Sequence, residues 1–87
     1  MVLKEVEIKN EAGLHARPAT LLIKTAAQFK SDVVLITGNK EVNAKSIMGI
    51  MAMGAVKGEK IEVRADGLDE KEALEAIVSL FETNFGE

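Results

Sequence analysis

The sequence predicts an α+β fold in which helices pack on one face of a mainly antiparallel, four-stranded sheet. Three observations carry that prediction. The hydrophobic period switches along the chain between two and about 3.6 residues, in the order βαββαβα. A two-residue Gly38-Asn39 link joins two strand-like runs, which is a hairpin signature. The 87 residues suit one domain, expected to span 1–87, with no repeat, linker or low-complexity tract inside it.

The elements follow in order. Between Val2 and Lys9, Val2, Val6 and Ile8 share one parity while Leu3, Glu5, Glu7 and Lys9 share the other. Lys4 interrupts the apolar row, but the period of two persists and a strand is expected. Asn10-Glu11-Ala12-Gly13 punctuates it. From Ala16 to Phe29, Ala19, Leu22, Ile23 and Ala26 form the stripe of an amphipathic helix, and Pro18 falls in its first turn. Val33 to Ile36 is a β-branched run that the Gly38-Asn39 turn returns into Glu41-Val42. Ser46 stands at the N-cap of a short apolar helix, Ile47 to Met53. Lys57-Gly58-Glu59 makes a turn, and Ile61, Val63 and Ala65 alternate with Glu62 and Arg64 as a fourth strand. Asp69 with Glu72 resembles a capping box for the last helix. Its core stripe is Ala73, Leu74, Ile77, Phe81 and Phe85, and Gly86 is expected to close it.

Composition excludes several classes of function. With 47% hydrophobic and 29% charged residues the chain has enough apolar material for a packed core, so disorder is not expected. That core must be aliphatic, because Trp and Tyr are absent. A net charge of −3 with interspersed signs argues against nucleic-acid binding by counterion release, and the missing aromatics argue against stacking on single strands. No cysteine and a single histidine leave no metal-ligand set, and no cofactor is expected. The N-terminus alternates charged and apolar residues rather than forming a signal peptide. The apolar stretch Ile47 to Val56 contains two glycines and is too short to span a bilayer. A cytoplasmic domain without membrane insertion is therefore expected.

His15, the only histidine, lies just before a helix, after Gly13 and two residues before Arg17. A helix N-terminus stabilises an anion through its N–H groups and partial positive charge. A phosphate on the imidazole would meet those amides, and Arg17 could add a charge-assisted contact. Imidazole is nucleophilic near neutral pH, and the phosphoramidate it forms gives up its phosphoryl group readily. The plainer reading is a surface histidine at a helix start. Leu21 lies opposite the buried stripe, so the fold should leave it exposed near His15. The segment from Ile47 to Met53 is apolar all round, so some of Ile47, Met48 and Met51 should face outward as an adaptable docking patch. A helix buried under loops is the competing reading. Ser46 should accept from the N–H of Met48 or Gly49, and phosphorylation there would place a dianion at a helix start; most such serines only cap. Gly49 and Gly54 have P-loop spacing, but Ala55-Val56 replaces the required Lys-Ser/Thr, and Gly54 with Gly58 reads GxxxG outside any apolar span.

Gly13-Leu14-His15-Ala16-Arg17-Pro18-Ala19 resembles the active-site signature of the HPr family of histidine-phosphorylated carriers. Lys45-Ser46-Ile47-Met48-Gly49-Ile50-Met51 resembles that family's regulatory-serine signature, at the expected distance, and the match covers the whole chain. The resemblance implies an open-faced β-sandwich, with sheet order 1-4-2-3 covered by three helices. It implies a carrier rather than an enzyme, with no metal or cofactor. Enzyme I, charged by phosphoenolpyruvate, would phosphorylate Nδ1 of His15, and enzyme IIA domains would receive the phosphoryl group for sugar uptake. Arg17 would contact the phosphate. Ser46 would be phosphorylated with ATP by HPr kinase/phosphorylase, the Gram-positive pattern, giving a form that binds a catabolite-control transcription factor. Leu21, Ile47, Met48 and Met51 would dock these partners, and the chain would act as a monomer. A regulatory module working only through Ser46 is the chief rival, although the silent co-repressors of this type lack the histidine. A ferredoxin-like small-molecule sensor shares most of the element order and gives His15 no role.

Overall fold

The structure, a computed structural model, describes residues 1–86. The described residues form β1 (Val2–Glu7), α1 (Ala16–Ala26), β2 (Asp32–Thr37), β3 (Lys40–Asn43), α2 (Ile47–Met53), β4 (Lys60–Asp66) and α3 (Glu70–Glu82), with a terminal 3-10 turn, Asn84–Gly86. The sheet has the order β1-β4-β2-β3, and every pairing is antiparallel. This is the α+β, open-faced arrangement expected from the sequence.

Period two explains the layering. Val33, Leu35, Ile61, Val63 and Ala65 all point to one face of the sheet and are buried there. Ala19, Leu22 and Ala26 of α1 share the core with Ala73, Ile77, Val78 and Phe81 of α3, and Ile50 and Met53 of α2 complete it. The opposite face carries no helix. In register across it stand Leu3, Arg64, Val34 and Asn43, then Glu5, Glu62, Ile36 and Glu41, while Asp32 lies opposite Asp66. Gly38-Asn39 forms the two-residue link of the β2–β3 hairpin, between the paired Thr37 and Lys40.

Three expectations are corrected. First, α1 ends at Ala26 rather than Phe29; Gln28 and Phe29 instead donate to the carbonyls of Thr25 and Ala26 in a tightened last turn. Second, Asp69 occupies the N-cap position of α3 but makes no cap bond. Its carboxylate instead accepts from the backbone N–H groups of Lys30 and Ser31, both at 2.9 Å, and from the Ser31 hydroxyl at 2.5 Å. Glu70 takes over locally, accepting from the Gly67 N–H at 3.2 Å and pairing with the N-terminal amine at 3.1 Å. Gly67 is needed for this docking, since a Cβ there would lie 2.7 Å from the Cα of Ser31. Third, the last helix stops at Glu82, and both Asn84 and Phe85 have positive φ (57° and 54°). This left-handed pair turns the chain back so that Phe85 is buried edge-on against Phe81, at 4.9 Å between ring centroids.

The Asp69 clamp titrates. The Ser31 hydroxyl, followed by the Lys30 N–H, holds its carboxyl at about 2, well below the ordinary 3.8. A carboxyl depressed on folding contributes stability above its unfolded value, and that contribution is lost as pH falls through the folded one. Asp69→Asn should therefore melt several degrees below wild type at pH 7. The gap should close between about pH 4 and about pH 2, where wild-type Asp69 itself becomes protonated. Thermal melts of both proteins across that range measure it.

Candidate functional site

His15 is the N-cap residue of α1 and is half-buried, with extended backbone angles (φ −87°, ψ −168°) and no side-chain cap bond. Its carbonyl accepts from the Ala19 N–H at 3.0 Å, which starts the helix ladder. The backbone amides at the head of α1 belong to Ala16 and Arg17, because Pro18 has none. Arg17 is exposed in the first helical turn. With Thr20, Leu21 and Lys24 it lines an open groove whose other wall is Phe85 and Gly86 at the C-terminal turn. The groove therefore joins one face of α1 to the far end of the chain.

The segment before His15 is fixed from below. Gly13 donates to the Asn10 carbonyl at 3.0 Å, and the Leu14 N–H donates to the carbonyl of Ala55 at 3.2 Å. Gly13 has φ +70°, and a Cβ on it would fall 2.3 Å from the Ala55 carbonyl oxygen. Only glycine lets the two backbones approach this closely. Leu14 is buried, which leaves His15 at the edge of the loop. The Lys57 ammonium pairs with Glu11 at 2.5 Å and holds that carboxyl below its ordinary value.

Ser46 is the N-cap of α2, and its hydroxyl accepts from the Gly49 N–H at 3.1 Å. Lys40 donates to the Met53 carbonyl at 3.2 Å, a cation at the C-terminal end of the same short helix. Ile50 and Met53 anchor α2 in the core, while Met48 is 79% exposed and Ile47 and Met51 also face outward. Leu21 is exposed on α1, which packs against α2. The fold thus puts His15, Arg17 and Leu21 on one helix and Ser46, Ile47, Met48 and Met51 on its neighbour.

Sequence reasoning missed two features. Ala55 and Val56, which in the sequence end an apolar stretch and fill failed P-loop and GxxxG positions, support the His15 loop, and Val56 is exposed beside Gly13. An apolar Val56 inside a glycine-flanked turn was the available signal. Thr20, Lys24, Phe85 and Gly86 were not grouped with Arg17, and no local pattern could place the C-terminus there. Among the described residues no group of His, Cys, Asp and Glu could hold a metal ion, and no helix is long and apolar enough to cross a membrane.

Comparison with known proteins agrees with this geometry. The family model for the "PTS HPr component phosphorylation site" matches residues 2–83. The phosphocarrier protein HPr of Treponema pallidum is 48% identical over all 87 residues, 100% of this chain and 99% of that protein. The crystal structure of HPr-C-His from Thermoanaerobacter tengcongensis superposes with a TM-score of 0.96 at 50% identity, covering 100% of this chain and 98% of that one. A crystal structure of an HPr dimer from the same organism matches with a TM-score of 0.80 at 52% identity, over 94% of each chain. With the family model matching residues 2–83 and relatives of 48% and 50% identity covering the whole chain, this chain belongs to the HPr family of phosphocarrier proteins of the phosphotransferase system.

Proposed function

We propose that the chain accepts a phosphoryl group on Nδ1 of His15 from phosphorylated enzyme I and passes it to enzyme IIA domains for sugar uptake. The observation that carries this reading is the placement of a half-buried imidazole at the N-cap of an amphipathic helix, followed by an exposed arginine. The imidazole nitrogen attacks phosphorus, the new N–P bond forms, and the bond to the donor breaks. The donor group leaves with its electron pair. The dianion lands where the helix dipole and the first-turn amides favour negative charge, so the carrier needs no metal to hold it. Arg17 adds a charge-assisted fork on the phosphoryl oxygens. The onward transfer runs the same step in reverse against an enzyme IIA nucleophile.

The second part of the proposal is regulation at Ser46 by an ATP-dependent HPr kinase/phosphorylase. It is supported by the cap geometry, in which the hydroxyl already meets the Gly49 amide beside the exposed Met48 and Met51. The phosphorylated form would bind a catabolite-control transcription factor. Leu21, Ile47, Met48 and Met51 form the proposed docking patch for enzyme I and the enzyme IIA domains, a cytoplasmic traffic. A monomer is the proposed working unit, and light scattering of the purified chain checks it against the dimeric form solved for a relative.

His15→Ala should melt like wild type and take up no acid-labile phosphate from enzyme I and phosphoenolpyruvate; undiminished labelling would remove His15 from the mechanism. Arg17→Ala should slow transfer roughly ten- to a hundredfold, and Arg17→Lys should recover only part because its ammonium lacks the planar fork. Rapid-quench kinetics of both variants decide whether the arginine contacts the phosphoryl group. Ser46→Asp should raise KM for enzyme I more than it lowers kcat. That defect should shrink with added salt, since a rim charge is screened over about 8 Å at physiological ionic strength. The melting temperature should hold or rise slightly, because the new charge sits at a helix start.

A further inference from the structure

We infer that Glu59 is a positioning residue for His15, acting through the Ala55–Val56 backbone that supports the His15 loop. The inference rests on the carrier reading for its functional consequence and on geometry for its mechanism. Ala55 and Val56 lie between α2 and β4, outside any helix or strand. Yet this short stretch receives the Leu14 N–H on the Ala55 carbonyl and runs so close to Gly13 that a Cβ there would fall 2.3 Å from the Ala55 carbonyl oxygen. A support of that kind is only as stiff as its own attachment.

Its side-chain attachment is the Glu59 carboxylate. One oxygen accepts from the Val56 N–H at 3.2 Å, and the other accepts from the Thr37 hydroxyl at 2.8 Å at the end of β2. Glu59 thereby ties the supporting loop sideways to the sheet. Backbone bonds brace the same stretch: Gly54 donates to the Met51 carbonyl at 3.3 Å, the Glu59 N–H donates to the Val56 carbonyl at 3.1 Å, and at the far end Gly58 donates to the Ile8 carbonyl at 2.8 Å and Ile8 donates to the Glu59 carbonyl at 3.0 Å. The Lys57–Glu11 pair is exposed and contributes little. Removing the Glu59 side chain leaves those backbone bonds in place, so the fold is retained. The Ala55 carbonyl gains play, and the play passes to Leu14 and the residue after it. In a transfer that depends on alignment, small displacements of the nucleophile lower the rate of the chemical step more than binding.

Two measurements on the full chain test this. The first is single-turnover phosphoryl uptake from phosphorylated enzyme I, and the second is hydrogen exchange of the Leu14 amide by NMR. Glu59→Ala should lower the saturating transfer rate roughly two- to tenfold, with KM unchanged and Leu14 exchange accelerated. Glu59→Gln should restore both, because its amide oxygen can accept from Val56 and its nitrogen can donate to Thr37. Thr37→Val, which removes one half of the link, should act in the same direction with a smaller effect. A wild-type rate and wild-type Leu14 exchange in Glu59→Ala would overturn the inference, and so would a defect confined to KM. If wild type itself takes up no phosphate, the carrier reading falls and takes the functional role with it. Leu14 exchange still reports on the clamp, independently of enzyme I.

Discussion

One-sided burial of the sheet is the constraint on which the rest of the molecule depends. The central strands place their fully buried side chains on a single face, while Val34 and Ile36 of β2 stay half-buried on the other, so Leu35, Ile61 and Val63 can leave water only if helices cover that face. Leu22, Ile77 and Phe81 meet them there. Each such side chain contributes about 1.5–3 kcal/mol when fully buried, which dominates any single polar contact in a chain of this size. Once α1 and α2 are committed to that face, their starts and their exposed sides are fixed as well. His15, Ser46 and the outward methionines are where they are because the inward residues of the same helices have nowhere else to go.

The structure was legible in the sequence wherever a local period set it. β1 and β4 follow from alternation, β2 and β3 from an apolar run and its Gly38-Asn39 turn, and α1 from the Ala19, Leu22, Ile23, Ala26 stripe. The Ser46 cap could be read to a choice of two amides, Met48 or Gly49, because all lie within one turn, and the structure gives Gly49. The failures have a common cause. Asp69 has the sequence appearance of a capping residue, but two backbone N–H groups and a hydroxyl from Lys30 and Ser31 compete for its carboxylate and win. Phe85 fits the helical stripe, but its burial is reached through a left-handed bend that no period announces.

The candidate site divides along the same line. His15 and Arg17 could be read from one turn of helix and its preceding glycine. The support beneath them could not, since it brings Gly13 against Ala55 and Val56 from the other side of the hairpin. The groove wall formed by Phe85 and Gly86 is a further step removed, because it requires the whole chain to have folded before its two ends meet. Tightly apposed backbone occurs beside His15, at Gly13 against Ala55, and also away from it, at Gly67 against Ser31.

The uncovered side of the sheet has an electrostatic meaning of its own. Glu5, Glu7, Asp32, Glu41, Glu62 and Asp66 lie on it by register, against Lys60, Arg64 and the N-terminal ammonium, which stands 3.6 Å from Asp66, with Glu5 directly across from Glu62 and Asp32 across from Asp66. Like charges placed opposite each other on neighbouring strands cost a few tenths of a kcal/mol or more. In return the molecule acquires a lopsided field. The net charge of −3 is thereby carried mainly by the bare sheet, the face opposite the helices that hold Leu21, Met48 and Met51.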